Sequence, residues 1–434
     1  MHRGKTEIMI RSIWMAAALA SCMAPAAVAQ TQSITLDDAI DRALDVLPSM
    51  VQARGAIENA QATKLQTWGS WLPSVSANAG NSVSSTNRWD ERTQTFISAG
   101  SQSSYSAGIS ANMTVFDGFA RLADHRIANA DVVAADASFI NTRFQTVLQV
   151  KQAFFNALAA AELVRISDTR IQRAQEQLNI SIEKLNAGTA TRSDTLRSHV
   201  EVANAELQRL QAETQLASAE ADLARLVGAD GAVSAASDDD LLVIADIDTT
   251  ALRAEALSGS PQIQESDAAE QSAAAQYSAT TAQYLPRATA SYSRSWSASD
   301  WLDFNPSWSA RLSFSWTLFN GFTRELNRTR SAMNLEAARA LAEDVRRQLN
   351  TQLTQYLASL AAAQTSLEIA EASRAASEED LRVQRERYRL GAATIVDVLA
   401  SQVNLDQAEV DIVQARFDYL VAKAQIEALV GREL

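Results

Sequence analysis

Phe116-Asp117-Gly118-Phe119 returns 203 positions later as Phe319-Asn320-Gly321-Phe322. The same offset joins Gly188 to Gly391, Asp194 to Asp397, and Leu226-Val227-Gly228 to Leu429-Val430-Gly431. Between 116 and 228 the match needs no insertion or deletion, so both copies keep the same element lengths. Upstream, Leu72-Pro73 matches Leu285-Pro286 at an offset of 213, which leaves the first copy ten residues longer between Pro73 and Phe116. The chain is a tandem duplication, with repeats at 30–228 and 250–434 and a connecting segment at 229–249.

Few residues in either repeat can stop a helix. Residues 119–187 and 322–390 contain no glycine or proline over 69 residues each, and 189–227 and 392–430 lack both over 39. With neither a flexible backbone nor a missing N–H to interrupt it, each run reads as one helix. At 1.5 Å per residue the longer ones would span roughly 100 Å. Leu196, Val200, Ala203, Leu207, Leu210, Leu223 and Leu226 recur at three- and four-residue spacing, the stripe of an amphipathic helix. Two more helices are expected at about 35–72 and 250–284, each leading into its Leu-Pro pair. Stacked end to end, 189–227 and 250–284 total 74 residues, close to the 69 of a long helix. The arithmetic suggests a wall in which one continuous helix runs beside two stacked short ones. The helices alone would also suit a coiled-coil rod.

After each Leu-Pro the period falls to two. Residues 308–318 place Trp308, Ala310, Leu312, Phe314, Trp316 and Leu318 on one face and Ser309, Arg311, Ser313, Ser315 and Thr317 on the other. The first copy places Tyr105, Ala107, Ile109, Ala111, Met113 and Val115 against Ser106, Gly108, Ser110, Asn112 and Thr114. Val75, Ala77 and Ala79, and Ala288, Ala290 and Tyr292, begin the partner strands, giving β-hairpins at 73–116 and 286–319. About eleven residues suit a tilted strand crossing a bilayer, and apolar-out, polar-in alternation is the mark of a membrane barrel. A half-buried soluble sheet alternates too, but here the flanking helices offer no globular core to cover. The hairpin tips, 85–100 and 299–306, are expected outside the cell. Four strands cannot close a barrel in lipid, where open edges leave backbone groups unpaired. Several chains would have to share one, and three would supply twelve strands.

Composition agrees with long packed helices: apolar residues make up 47% and aromatics only 6%, in 434 residues with 14 glycines and 6 prolines. Residues 1–29 read as an export signal, with Arg3, Lys5 and Arg11, an apolar run from 13 to 24, and Ala27-Val28-Ala29 after Pro25. The rival within this segment is a lipobox, Leu19-Ala20-Ser21-Cys22, in which Cys22 would be lipidated. Cys22 is the only cysteine, so cleavage after Ala29 leaves no thiol chemistry. The processed chain carries 35 basic against 50 acidic residues, the wrong sign for a nucleic-acid binder. No later stretch is apolar for 18 residues, so no transmembrane helix is expected.

The long helices end at Gly188 and Gly391, both suited to C-caps. Thr191 or Ser193, and Thr394, can cap the helix that follows. Asp194 and Asp397 then fall in its first turn, where the helix dipole favours a carboxylate. That capping role alone would account for both aspartates.

Here the chain resembles the TolC family of outer-membrane factors. Gly188-Thr189-Ala190-Thr191-Arg192-Ser193-Asp194 and Gly391-Ala392-Ala393-Thr394-Ile395-Val396-Asp397-Val398-Leu399 carry the most specific match. The duplication, the Leu-Pro pairs and the Phe-Asp-Gly and Phe-Asn-Gly turns extend it over essentially the whole processed chain. The resemblance implies a mainly α protein with membrane β-structure: the tandem-repeat protomer of a homotrimer, whose twelve-stranded β-barrel continues into a twelve-helix α-barrel tunnel. It also implies an exit duct in the outer membrane of a Gram-negative cell, serving type I protein secretion or multidrug efflux. Its partners would be a periplasmic adaptor and an inner-membrane ABC or proton-driven transporter. The periplasmic gate would lie at these turns, which would also dock the adaptor through Gly188, Thr191, Ser193, Gly391 and Thr394. Asp397 matches a constricting acidic ring; a second ring one turn on is Ala400 here. Asp194 and Tyr388 match a link that holds the family's closed state, but the arginine of that link is Ala393 here. Arg389 and Arg192 are the nearby candidates to replace it.

An enzyme is not expected, and neither is a cofactor. His2 leaves with the signal, His125 and His199 sit far apart within predicted helices, and no phosphate loop or metal-ligand spacing occurs. Two other readings stand beside the channel. A periplasmic coiled-coil adaptor would share the helical hairpins but not the bilayer-length strands. A lipid-anchored outer-membrane factor would need Cys22, yet Ile34, where the first helix pattern begins, lies only twelve positions after Cys22.

Overall fold

The computed structural model describes residues 32–236, 249–299 and 303–434. The expected signal at 1–29, the acidic linker triplet Asp238-Asp239-Asp240 with the apolar run 241–245, and hairpin-tip residues 300–302 lie outside the described residues. In chain order the elements begin with β1 (Gln32–Ile34), α1 (Leu36–Val46), α2 (Pro48–Gly69), β2 (Ser74–Asp90) and β3 (Thr95–Phe116). Next come α3 (Ala120–Asn186), α4 (Arg192–Val227) and β4 (Val233–Ala235). The second repeat follows with α5 (Thr249–Gly259), α6 (Pro261–Ala279), a 3-10 turn (Thr280–Tyr284), β5 (Arg287–Ala298), β6 (Asn305–Ser315), α7 (Thr323–Arg389) and α8 (Ile395–Val430).

The stretches read as single helices at 35–72 and 250–284 are each broken. Leu47 is extended (ψ 132°) ahead of Pro48, and Ser260 (ψ 136°) ahead of Pro261. Proline crowds the preceding residue out of the helical region, yet is well placed in a helix's first turn, where its missing N–H costs nothing. The strands of the first hairpin are longer than expected, with 17 residues in β2 and 22 in β3, while β5 and β6 have 12 and 11.

Helices α3 and α7 are 67 residues each, roughly 100 Å of continuous helix. The first part of α3 bonds to α2 through Thr67 and His125 (2.9 Å) and to α6 through Asn141 and Glu265 (2.6 Å). Its second part pairs with α4 through Arg170–Glu201 (2.9 Å) and with α8 through Arg173–Asp406 (2.8 Å). Long helices therefore do run beside stacked shorter ones. The main apolar core lies at mid-length, where Phe154 and Val150 of α3, Leu349 and Leu353 of α7, Leu223 of α4 and Ile426 of α8 meet Ala39 and Ala43 of α1. Beside it β1 pairs in parallel with β4, Gln32 opposite Val233 and Ile34 opposite Ala235.

The four long strands form one antiparallel sheet in the order β2-β3-β5-β6. Both hairpins have the same register: Ser74 opposes Asn112, and Arg287 opposes Ser315, which are equivalent pairs under the two repeat offsets. The hairpins join through β3 and β5, with Ala111 opposite Tyr292. Serine hydroxyls bridge neighbouring strands on the polar face: Ser76 to Ser110 (2.8 Å), Ser293 to Ser309 (2.9 Å) and Ser295 to Ser307 (2.8 Å). On the other face of β6, Trp308 (71% exposed), Leu312 (74%) and Phe314 (69%) lie bare. Large apolar side chains left open in a row mark a surface made for something other than water. No helix among the described residues is long and apolar enough to cross a membrane.

Candidate functional site

Both long helices end in the same way. Gly188 and Gly391 take left-handed φ values of 73° and 77°, which a side chain would resist. The turns then close on carbonyls of the last helical turn: Thr189 N–H donates to the Lys184 oxygen (2.8 Å), and Ala392 N–H to the Arg387 oxygen (2.7 Å). Thr191 and Thr394 start α4 and α8 with reciprocal capping boxes. Thr191 N–H donates to Asp194 Oδ2 (3.0 Å), and Asp194 N–H donates back to the Thr191 hydroxyl (3.3 Å). At the second turn, Asp397 Oδ2 accepts from both the N–H and the hydroxyl of Thr394, each at 2.8 Å. Both aspartates thus perform the capping role their position suggests. Ser193, Arg192 and Ala400 are exposed.

Asp397 is itself exposed. The Thr394 N–H, then the Thr394 hydroxyl, and Arg387 nearby hold its carboxyl below the ordinary aspartate value of 3.8. It therefore stays charged through mild acid.

Tyr388 is buried, with 4% exposure, among Leu381, Ile395, Val398 and Leu405. Burial first, and the Asp194 carboxylate second, push its phenol above the usual value of 10.0, against the Ser181 hydroxyl. Asp194 bonds to Thr191 in its own turn rather than to the Tyr388 phenol. Tyr388 Oη finds no well-aligned hydrogen-bond partner among the described residues. Arg389 turns away to Glu386 (3.1 Å) on its own helix. The group that meets Tyr388 is instead Lys184, whose Nζ lies 4.5 Å from the ring centroid and donates to the Tyr388 and Arg389 carbonyls. Lys184 lies just ahead of the turn motifs and is not among the residues they single out.

A buried ionic cluster further up the helices also escaped the sequence reading. Arg173 donates to Asp406 (2.8 Å) and twice to Glu409 (2.8 and 2.5 Å), and Arg170 Nε lies 2.9 Å from the other Asp406 oxygen. Burial raises the Asp406 carboxyl above 3.8, with Arg170 and Arg173 opposing. No His/Cys/Asp/Glu group among the described residues could hold a metal ion.

The sequence profile of outer membrane efflux proteins matches residues 39–229 and 252–432, one stretch per repeat. The chain belongs to this family. That makes it an outer-membrane channel protein of the efflux and secretion type, and sets aside the coiled-coil rod and adaptor readings. It is similar to the alkaline protease secretion protein AprF of Pseudomonas aeruginosa, at 24% identity over 79% of this chain and 74% of the relative. Among solved structures, the Campylobacter jejuni CmeC outer membrane channel aligns with a TM-score of 0.78 and 17% identity, over 91% of this chain and 85% of that one. The Neisseria gonorrhoeae MtrE channel, in its open state, aligns at 0.74 and 17%, over 92% and 89%. The family and these relatives are channels rather than enzymes.

Proposed function

We propose that three copies of this chain form a passive exit duct, a shared twelve-stranded barrel in the outer membrane continuous with a twelve-helix periplasmic tunnel. A joint made once within the chain and left open once carries this reading. Gly118 packs so tightly against the second repeat that an added Cβ would lie 2.6 Å from Leu285 Cβ and 2.8 Å from the Ala282 oxygen. At its repeat counterpart, Gly321, an added Cβ would meet nothing within 4 Å among the described residues. The residue equivalent to Leu285 is Leu72, which is exposed at the far end of the sheet. Strands β2 and β6 are the two unpaired edges, and lipid tolerates no such edge. A neighbouring copy resolves all of this by repeating the β3–β5 joint between β6 and its own β2. Under the repeat offsets, the observed pair Ala111–Tyr292 becomes Phe314 with Ala79 of the partner subunit.

Cysteine cross-linking tests the register directly. Opposed strand residues lie about 4.5–5.5 Å apart at Cα, within disulfide reach. Chains carrying Ala79→Cys and Phe314→Cys should oxidise to covalent trimers in outer membranes. If they stay monomeric while an Ala111→Cys/Tyr292→Cys pair closes within the chain, the shared barrel is wrong.

The helix turns are then the periplasmic entrance. Asp397 would line a negative constriction, Asp194 and Tyr388 would hold it, and Gly188, Thr191, Ser193, Gly391 and Thr394 would shape the surface that meets a periplasmic adaptor. Arg192 and Arg389 are exposed beside it. Beneath the adaptor an inner-membrane ABC or proton-driven transporter supplies the energy and selects the cargo. Likeness to a protease secretion protein supports type I secretion, and the outer membrane efflux protein profile supports efflux.

A further inference from the structure

The two turns are built alike but joined unequally. Under the repeat offset, Lys184 corresponds to Arg387 and Leu185 to Tyr388. Arg387 stays at home: its guanidinium donates to the Ala392 carbonyl (3.3 Å) and to Gln384 (3.4 Å) in its own hairpin. Lys184 does not. Its carbonyl accepts the N–H groups of Thr189 (2.8 Å) and Ala190 (3.2 Å) and so fixes the first turn. Its ammonium crosses to the second hairpin, donating to the Tyr388 oxygen and, at 3.3 Å, to the Arg389 oxygen. It also rests 4.5 Å from the centre of the Tyr388 ring. The last carbonyls of a helix lack intrahelical partners and carry the negative end of its dipole. A cation placed there, over an aromatic face, gains from both fields. One residue thus holds the backbone of the first turn and caps the helix that leads into the second.

We propose that Lys184 is the positioning residue that locks the two turns of one protomer together, fixing the Asp397 turn relative to the Asp194 turn. The inference rests on the reading of these turns as the entrance, but its test does not require a working channel. Without Lys184, α7 loses its cap in trans, and the second turn fluctuates independently of the first. The second repeat's own turn bonds remain, so the protein still folds.

Amide hydrogen exchange of the full chain in detergent reads this locally. Lys184→Met keeps much of the side chain's length and apolar bulk. It should speed exchange in peptides covering 388–398 at least threefold and leave those from the mid-length core unchanged. Lys184→Arg should restore slow exchange, since a guanidinium can reach the same carbonyls and ring. Unchanged exchange at 388–398 in Lys184→Met would overturn the proposal, as would an equal rise in the core, which would mean general loosening. Conductance in planar bilayers separates the two claims. If the variant's turn loosens while conductance and its cation block stay at wild-type values, the lock stands and the entrance reading fails. If both rise together, both stand.

Discussion

Asp397 shows how a structural residue can carry function without changing its bonds. Its Oδ2 is committed to the Thr394 cap, yet the carboxylate remains exposed and charged. Replacing it with alanine should weaken block by multivalent cations several-fold in single-channel recordings; unchanged block would remove it from the constriction. The pH dependence follows from its lowered folded value. A depressed carboxyl contributes its cap above the unfolded value of 3.8 and loses it as pH falls through the still lower folded value. Block should therefore persist at pH 5 and fade only below about pH 4. The aspartates and their caps were legible in the sequence because capping is local, three residues from Thr to Asp. Lys184 was not, because its target lies 204 positions away, at Tyr388, and no spacing rule reaches that far.

At the scale of elements, absence was the clearest signal. Runs free of glycine and proline gave the four longest helices almost to their ends, whereas Pro48 and Pro261, visible in the sequence, split the shorter ones. The alternating segments found the strands, and the length of the second hairpin's, but not the length of the first hairpin's, because the serine- and asparagine-rich stretch near its tip has no continuous apolar face to count. What binds α3 to α8 was also hidden: Arg173, Arg170, Asp406 and Glu409 look like ordinary helix charges until folding buries them together. Breaking a buried pair leaves an uncompensated charge and costs about 3–5 kcal/mol. Arg173→Met should lower the melting temperature at pH 7 accordingly. Because the folded Asp406 carboxyl is raised above 3.8, its ionisation weakens the fold as pH rises through that raised value. The variant's deficit should shrink as pH is lowered toward 4 and the Asp406 carboxyl is neutralised; a deficit independent of pH would mean Arg173 acts through packing rather than through the Asp406 charge.

For the whole molecule, the two turn glycines separate folding from assembly. Both sit at positive φ, 70° for Gly118 and 64° for Gly321, so alanine at either meets a left-handed penalty of about 1–2 kcal/mol. Gly118→Ala adds the clash with Leu285 inside the chain, about 1–3 kcal/mol of overpacking. Gly321→Ala meets nothing until a second copy arrives. Circular dichroism should show Gly118→Ala protomers losing stability, while Gly321→Ala protomers fold but assemble into fewer trimers by light-scattering mass. Equal trimer yields for Gly321→Ala and wild type would leave the neighbour's Leu72 without a seat. The tandem repeat made this architecture readable: a duplicated chain that satisfies one copy of a joint internally points to where the other must be satisfied.

The short parallel pairing of β1 with β4 closes a long loop. Gln32 and Val233 lie about two hundred residues apart in the chain. Bringing such distant segments together costs loop-closure entropy that must be met before the contact rewards it. Each strand has three residues, too few to hold that loop unaided. The belt at mid-length therefore depends on the packing of α3 and α4 that the loop contains, and a substitution that loosens those helices should release β1 as well.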